Sequence, residues 1–427
     1  MNFKDVAKRP LGRVFMGGYR LSQRSNKHRV AFKKALELGL TAVDTSANYT
    51  DGESERLIGE LAPEDLFVIT KAGYIQGQNL KVLEDLHGEG KAKKDLVEIN
   101  ETLKHSIHPE FLESQIDLSL KHLRRDNIDC FLLHNPEYFF KVSEDREEYY
   151  SRLQKAFEYL EEQVQKGRIS CYGVSSNTFV SKADSKDYTD LSRVYQAAQK
   201  ANPNPHFAAV QFPMNLLELG ALEKAHPASP SFLEVAHELQ LTTLANRPLN
   251  AFSSEGRLVR LALYEQADQF DTKKAQAQWD KVYEIMEAQY IAQAEGQEKA
   301  PDFEKMPIIK QFKEIWMTLP SPDAVNQVFQ GHLFPFVAQL WGGNLSPEQS
   351  APFYELYDYA QEASRFQMNL RARSFQKQAQ DSGLLPSNEH KQLAQQAVDF
   401  ILDKNIDHVL LGMKDANYVN QFADWLK

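Results

Sequence analysis

The chain has 427 residues, 42% hydrophobic and 25% charged, with 49 Lys and Arg set against 59 Asp and Glu. A formal net charge of −10 argues against a broad electrostatic footprint for nucleic acid or an anionic membrane surface. Only two cysteines, Cys130 and Cys171, exclude a disulfide scaffold, and the polar start MNFKDVAKRPLG with no long apolar run points to a soluble, cytoplasmic protein.

Short apolar runs rich in Val, Ile, Phe and Leu then alternate with amphipathic stretches. Strands are expected near 13–17, 41–45, 66–71, 128–134, 169–175, 207–211 and 241–245, with a last one at 408–412. These runs are too short for helices, and their near-continuous apolar character suits parallel strands covered on both faces. Between them, 28–38 carries a stripe of Ala31, Ala35 and Leu38 and stops at Gly39, a residue that tolerates positive φ. His108-Pro109-Glu110 opens a segment striped by Leu112, Ile116, Leu120 and Leu123. A third segment, 149–166, ends at Gly167 between Lys166 and Arg168, cations that oppose the negative end of a helix dipole. Eight strands with helices between them point to a closed (β/α)8 TIM barrel, with an open doubly wound sheet as the alternative.

From about 254 to 387 the alternation stops. Ala275, Trp279, Tyr283, Met286 and Tyr290 recur at helical spacing, and Ser346-Pro347-Glu348 reads as a capped start followed by Phe353, Leu356, Tyr357 and Ala360. The expectation is one barrel domain over 1–427, interrupted after its seventh strand by a helical insertion on or beside the mouth. A smaller, charged and Gly-punctuated expansion, 76–106, follows strand three.

In such a barrel the active site forms at the carboxyl ends of the strands. Asp44 and Tyr49 follow strand two, Lys71 closes strand three and His134 closes strand four. Each has a plainer reading: Asp44 as a cap, Tyr49 as a loop aromatic, His134 as a satisfied core histidine. Lys71 is harder to set aside, because an ammonium at the end of an apolar strand needs a partner or loses its proton. Asp44, one strand away, is that partner. The resulting positive centre would favour phenolate and pull the Tyr49 pKa down, fitting it to protonate a carbonyl oxygen that His134 holds. A Schiff-base role for Lys71, as in a barrel aldolase, is opposed by Asp44, which holds the proton. No H-x-x-x-H or H-E-x-x-H arrangement occurs among the twelve histidines, so no metal is expected.

The surrounding motifs resemble those of the aldo-keto reductases. TAVDTSANYTDGESERLIGEL is similar to the family's D-T-A-x-x-Y…E-x-x-L-G, FLLHNPE to its L-x-x-H-x-P, YGVSSNT to its G-V-S-N and AVQFPMNLLE to its V-Q-x-x-Y-N-L-L. The match favours the branch of bacterial general reductases and potassium-channel β subunits. It spans about 11–250 and 390–427, leaving the helical insertion unmatched.

The resemblance implies an oxidoreductase that uses NADPH, with NADH as the alternative, to reduce an aldehyde or ketone reversibly to an alcohol. Tyr49 would be the general acid, Lys71 its pKa-lowering neighbour, Asp44 the anchor of Lys71, and His134 the group orienting the carbonyl. Ser175, Ser176 and Gln211 would grip the nicotinamide carboxamide. Barrels commonly bind phosphate after strands seven and eight, where this chain places Arg247 and Leu249 in ANRPLNAF, then Gly412, Lys414 and Gln421. Asn246 stands where many members stack an aromatic on the ring, and no second basic residue follows near Tyr418. The floor hairpin of the family is shortened before Leu11.

Tyr19, Arg20, Tyr74, Tyr138, Phe139 and Phe140 are the expected substrate-pocket residues. Trp316, Phe334, Phe336 and Trp341 of the insertion serve as packing or as a lid. The expected partner is a small carbonyl compound, with neither nucleic acid nor membrane, and the oligomeric state is not legible. A second reading is a cofactor-sensing, non-catalytic partner protein on the same fold, docked through the insertion. The presence of all four tetrad residues counts against it.

Overall fold

A computed structural model describes residues 1–88, 95–252, 258–294, 302–387 and 391–427. The chain divides into two compact units, Met1–Phe252 with Gln395–Lys427, and Ser253–Ala394.

In the first unit eight strands close into a barrel: β1 (Val14–Gly17), β2 (Ala42–Asp44), β3 (Phe67–Ala72), β4 (Ile128–His134), β5 (Ile169–Ser175), β6 (Phe207–Pro213), β7 (Thr242–Asn246) and β8 (His408–Gly412). Every neighbouring pair is parallel, and β1 pairs with both β2 and β8, so the alternative of an open sheet is ruled out. β4 is buried at all of its positions, which is what a parallel strand covered on both faces requires.

Helices fill the connections where the sequence signals lie. Asn26–Glu37 starts at Ser25, whose side chain accepts from the His28 N–H, and Gly39 beyond its end sits at φ 99°. Pro109–Leu123 is capped by His108, and Arg146–Gln165 by Asp145.

The barrel interior is a packed core. Phe15, Phe67, Ile69, Leu132, Leu244 and Leu410 fill it with Cys130 and Cys171, which face each other in register across β4 and β5. A single helical turn, Phe3–Asp5, closes the floor in place of a hairpin. Phe3 is 1% exposed, its ring lies 4.7 Å from that of Phe67, and its N–H donates to Thr242 Oγ1 at 2.9 Å. Burying one such ring stabilises the unit by roughly 1.5–3 kcal/mol.

The expansion after β3 is more ordered than its charge suggests. Apart from 89–94, which lie outside the described residues, it forms the helix Gln78–Gly88 and an antiparallel sheet of Tyr74–Ile75, Leu103–His105 and Val97–Asn100. Tyr74 faces His105 in that sheet, so both side chains arrive beside the carboxyl end of β4.

The second unit has a core of its own. Thr272–Ala294, Pro307–Ile315, Pro322–Val328, Phe334–Leu340 and Pro347–Asp381 are its main helices. Ser346 caps the last, exchanging bonds with Gln349. Trp279, Phe312, Trp316, Phe329 and Phe353 are buried together, with Phe334, Phe336 and Trp341 packed against them, so these aromatics serve the unit's own core. A short strand, Leu258–Arg260, corrects the expectation of a strand-free stretch. Among the described residues no helix is long and apolar enough to cross a membrane.

Candidate active site

Asp44 ends β2 and Lys71 lies near the end of β3, and the two side chains meet in the barrel mouth. Lys71 is fully buried, and its Nζ donates to both Asp44 oxygens and to the Thr45 carbonyl, each at 2.7 Å. All three ammonium protons are therefore placed. Burial lowers the Lys71 pKa, and the Asp44 charge opposes that fall.

Tyr49 stands on the loop beyond β2. Its ring centroid lies 5.1 Å from Lys71 Nζ and 5.8 Å from the His134 ring, which it meets edge-on. The expected acidification of Tyr49 is not found: burial first, and then the Asp44 charge, hold the phenol well above the ordinary tyrosine value. The reason is that Asp44 neutralises Lys71 at close range, so little positive field is left to oppose desolvation.

His134 ends β4 and is 7% exposed. Burial, then Lys71 and His105, hold its pKa well below the ordinary value, so the ring is neutral. Its Nδ1 lies 3.1 Å from Ser46 Oγ, a residue that sequence reasoning passed over. The Ser46 hydroxyl has one proton and, besides His134 Nδ1, two acceptors around it, Asn48 Oδ1 at 2.6 Å and the Lys71 carbonyl at 3.0 Å. Where that proton points decides which imidazole nitrogen carries hydrogen.

Register places His134, Ser175 and Gln211 side by side on β4, β5 and β6. Ser175 Oγ donates to Gln211 Oε1 at 2.9 Å, and Gln211 Nε2 donates to Asp44 Oδ1 at 2.9 Å. An ionised carboxylate only accepts, so this contact fixes which way the Gln211 amide faces. Ser176 is buried but turns toward the next loop, where it accepts from the Thr178 N–H at 3.1 Å.

Under that loop lies Glu137, which the sequence did not single out. One of its oxygens accepts from the Asn177 N–H at 2.9 Å, and Oε2 is buried with no hydrogen-bond partner among the described residues. Burial pushes this carboxyl up to about 7.

The expected phosphate residues are more open. Arg247, in a left-handed backbone conformation at φ 54°, pairs with Glu218 at 2.9 Å. Leu249 is half-buried two residues on. Gly412 ends β8 with nothing among the described residues within 4 Å of where a Cβ would stand. Lys414 is exposed, and with Lys27 it reinforces the lowering of the His28 pKa that burial begins. Lys27, which the sequence reading missed, pairs with Asp415 at 2.6 Å. Gln421 ends the helix Ala416–Gln421, its carbonyl accepting from the Gln395 amide at 3.0 Å.

On the other side of the mouth, Tyr19 meets Tyr49 edge-on at 5.1 Å and carries Arg20 over its face at 5.9 Å. Tyr74 packs on His134 at 4.8 Å and on Tyr138 at 5.0 Å, and its hydroxyl accepts from Asn135 Nδ2 at 2.7 Å. Phe139 and Phe140, on the helical turn Pro136–Lys141, are buried against Tyr149, at 6.2 and 4.6 Å.

Known proteins resemble this chain in part of its sequence and in fold. Over 110 residues it is 29% identical to the human aflatoxin B1 aldehyde reductase member 4, a match covering 26% of this chain and 27% of that relative's length. A glycerol dehydrogenase from Gluconobacter oxydans aligns over 99% of this chain and 88% of its own, at 17% identity and a TM-score of 0.50, a likeness of fold. An aldo/keto reductase from Klebsiella pneumoniae, crystallised with NADP and acetate, aligns over 97% and 86% at 14% identity and a TM-score of 0.44. The sequence model of the Aldo/keto reductase family matches residues 13–295, more than half of the chain, and the protein belongs to that family.

Proposed function

We propose that the protein is an NADPH-dependent carbonyl reductase that converts a small aldehyde or ketone to its alcohol, with Tyr49 as general acid. The observation that carries this reading is the cluster of Asp44, Tyr49, Lys71 and His134, wired through Asp44 to Gln211 and Ser175.

Polar atoms in the mouth suit a ring bearing an amide. Asn246 Oδ1, at the end of β7, is buried without a hydrogen-bond partner among the described residues, and a lone buried acceptor calls for a donor. Ser175 and Gln211, with Ser176 behind them, would hold the carboxamide. Arg247 and Lys414 would meet the phosphates beside Leu249, Gly412 and Gln421, with Lys27 adding a cation. When bound, the nicotinamide supplies hydride to the carbonyl carbon.

The chain's own groups handle the proton. A phenol held above its ordinary pKa keeps its hydrogen at neutral pH, so Tyr49 is ready to donate as charge grows on the carbonyl oxygen. Lys71 has no proton to spare for that oxygen; bonded to both Asp44 oxygens and the Thr45 carbonyl, it fixes the polar frame beside Tyr49. His134, neutral, would orient the oxygen. Tyr19, Arg20, Tyr74 and Tyr138 would receive the rest of the substrate.

The test is NADPH oxidation by the full chain across a panel of aldehydes and ketones. Tyr49→Phe is expected to lower kcat by about 10²–10⁴-fold while NADPH binding, followed by fluorescence, holds. Full turnover by that variant would reject the reading.

A further inference from the structure

We propose that Asp51 is a positioning residue for Tyr49: locked to the backbone of Gln78, its carboxylate holds the left-handed turn that sets where the Tyr49 hydroxyl stands. The inference rests on the reading of Tyr49 as the general acid.

Tyr49 belongs to no strand, so something other than the barrel must fix it. Directly after it, Thr50 (φ 47°, ψ 39°), Asp51 (φ 58°, ψ 43°) and Gly52 (φ 80°, ψ −6°) follow one another in the left-handed region. Glycine adopts that conformation without penalty, whereas Thr and Asp each cost about 1–2 kcal/mol there. Two such residues in a row persist only where their surroundings hold them.

The holding contacts come from a second loop. Asp51 Oδ1 accepts from the Gln78 N–H at 2.7 Å. Arg56 ties both partners from below, donating to the Asp51 carbonyl at 3.1 Å and to Gln78 Oε1 at 2.9 Å. On the other flank, the Thr50 hydroxyl donates to the Leu21 carbonyl.

Two glycines leave no slack. A Cβ on Gly77 would stand 2.3 Å from Asp51 Oδ1, and one on Gly52 would stand 2.3 Å from Gln78 Nε2. Asp51 itself is exposed and contacts the second loop, so it acts on the chemistry only through Tyr49.

The experiment uses the full chain with NADPH and para-nitrobenzaldehyde as the probe. Asp51→Ala is expected to lower kcat by about 10–100-fold, the scale of a misplaced reacting group, with NADPH affinity and Tm unchanged. Its solvent deuterium isotope effect on kcat should rise, because proton donation becomes slower. Asp51→Asn keeps an acceptor and tolerates the left-handed turn, so it should stay within about threefold of the parent. Gly77→Ala presses a methyl on the same oxygen and should reproduce the Asp51→Ala signature. In a Tyr49→Phe background, Asp51→Ala should add nothing.

Parent-like kcat in Asp51→Ala overturns the proposal, as does a loss that Asp51→Asn shares or one that NADPH affinity and Tm follow in step. The two failures separate cleanly. Full turnover by Tyr49→Phe removes the role of Tyr49 itself, whereas an inactive Tyr49→Phe beside a parent-like Asp51→Ala removes only the latch.

Discussion

Lys71 and Asp44 are sealed from solvent with every ammonium proton placed, whereas Lys414 stands exposed on the outer rim and Arg247 keeps 34% of its side chain accessible beside Glu218. The inner pair owes its charge to exact pairing, because removing either partner strands the other in a low-dielectric pocket. The outer pairs sit where water competes, and exposed ion pairs contribute little, so under the proposed function Arg247 and Lys27 would exchange a carboxylate for a phosphate at small cost. The contrast places rigidity at the buried Asp44–Lys71 pair and exchangeability at the exposed pairs of Arg247 and Lys27.

The largest effect should come from breaking the inner end. Asp44→Ala leaves the Lys71 ammonium buried without its carboxylate and is expected to destabilise the protein by about 3–5 kcal/mol in urea unfolding. Adding Lys71→Met should recover part of that loss. If the double variant is no more stable than the single one, the stranded charge is not the cause.

Glu137 tests the inner end through pH. Its folded pKa, about 7, lies above the ordinary carboxylate value of 4.5, so the native state binds the extra proton. Stability from this group is fully present below pH 4.5 and is lost as pH rises through 7. Glu137→Gln should therefore raise stability at alkaline pH by about 3 kcal/mol, with the advantage gone at acid pH. A gain of equal size at both ends of the pH range would show that Glu137 does not titrate as described.

The smallest effect belongs to the outer rim. Lys27→Ala should raise the KM for NADPH by about threefold, since one exposed cation is worth at most about 1 kcal/mol. The KM for NADH should not move if Lys27 meets the adenosine 2′-phosphate, which NADH lacks. Equal changes for both cofactors would take Lys27 away from the 2′-phosphate.

Much of this was legible in the sequence because the barrel writes itself locally. Continuous apolar runs mark parallel strands: β4, β5 and β8 fall on the runs that signal them, and β3 runs one residue past Lys71 to Ala72. Strand ends then point at Asp44, Lys71 and His134, and the structure brings these together with Tyr49, Ser175 and Gln211. What was not legible depends on contacts between distant segments. The sign of the Tyr49 shift turns on desolvation, which no local pattern carries. Ser46 and Glu137 matter through the partners the fold gives them, and Lys27 joins Lys414 only because the helix Asn26–Glu37 starts near the end of β8. The sheet around Tyr74 hid behind charge, although V-E-I-N alternates in burial as a strand should.

The two cysteines have a practical consequence. Cys130 and Cys171 are the chain's only thiols, and both lie inside the barrel at 0% exposure. Burial raises the Cys130 pKa well above the ordinary thiol value, which suppresses the thiolate form that alkylating reagents attack. Labelling of the native chain must wait for the barrel to open, so a reagent such as iodoacetamide reads the first unit as a built-in clock of its unfolding.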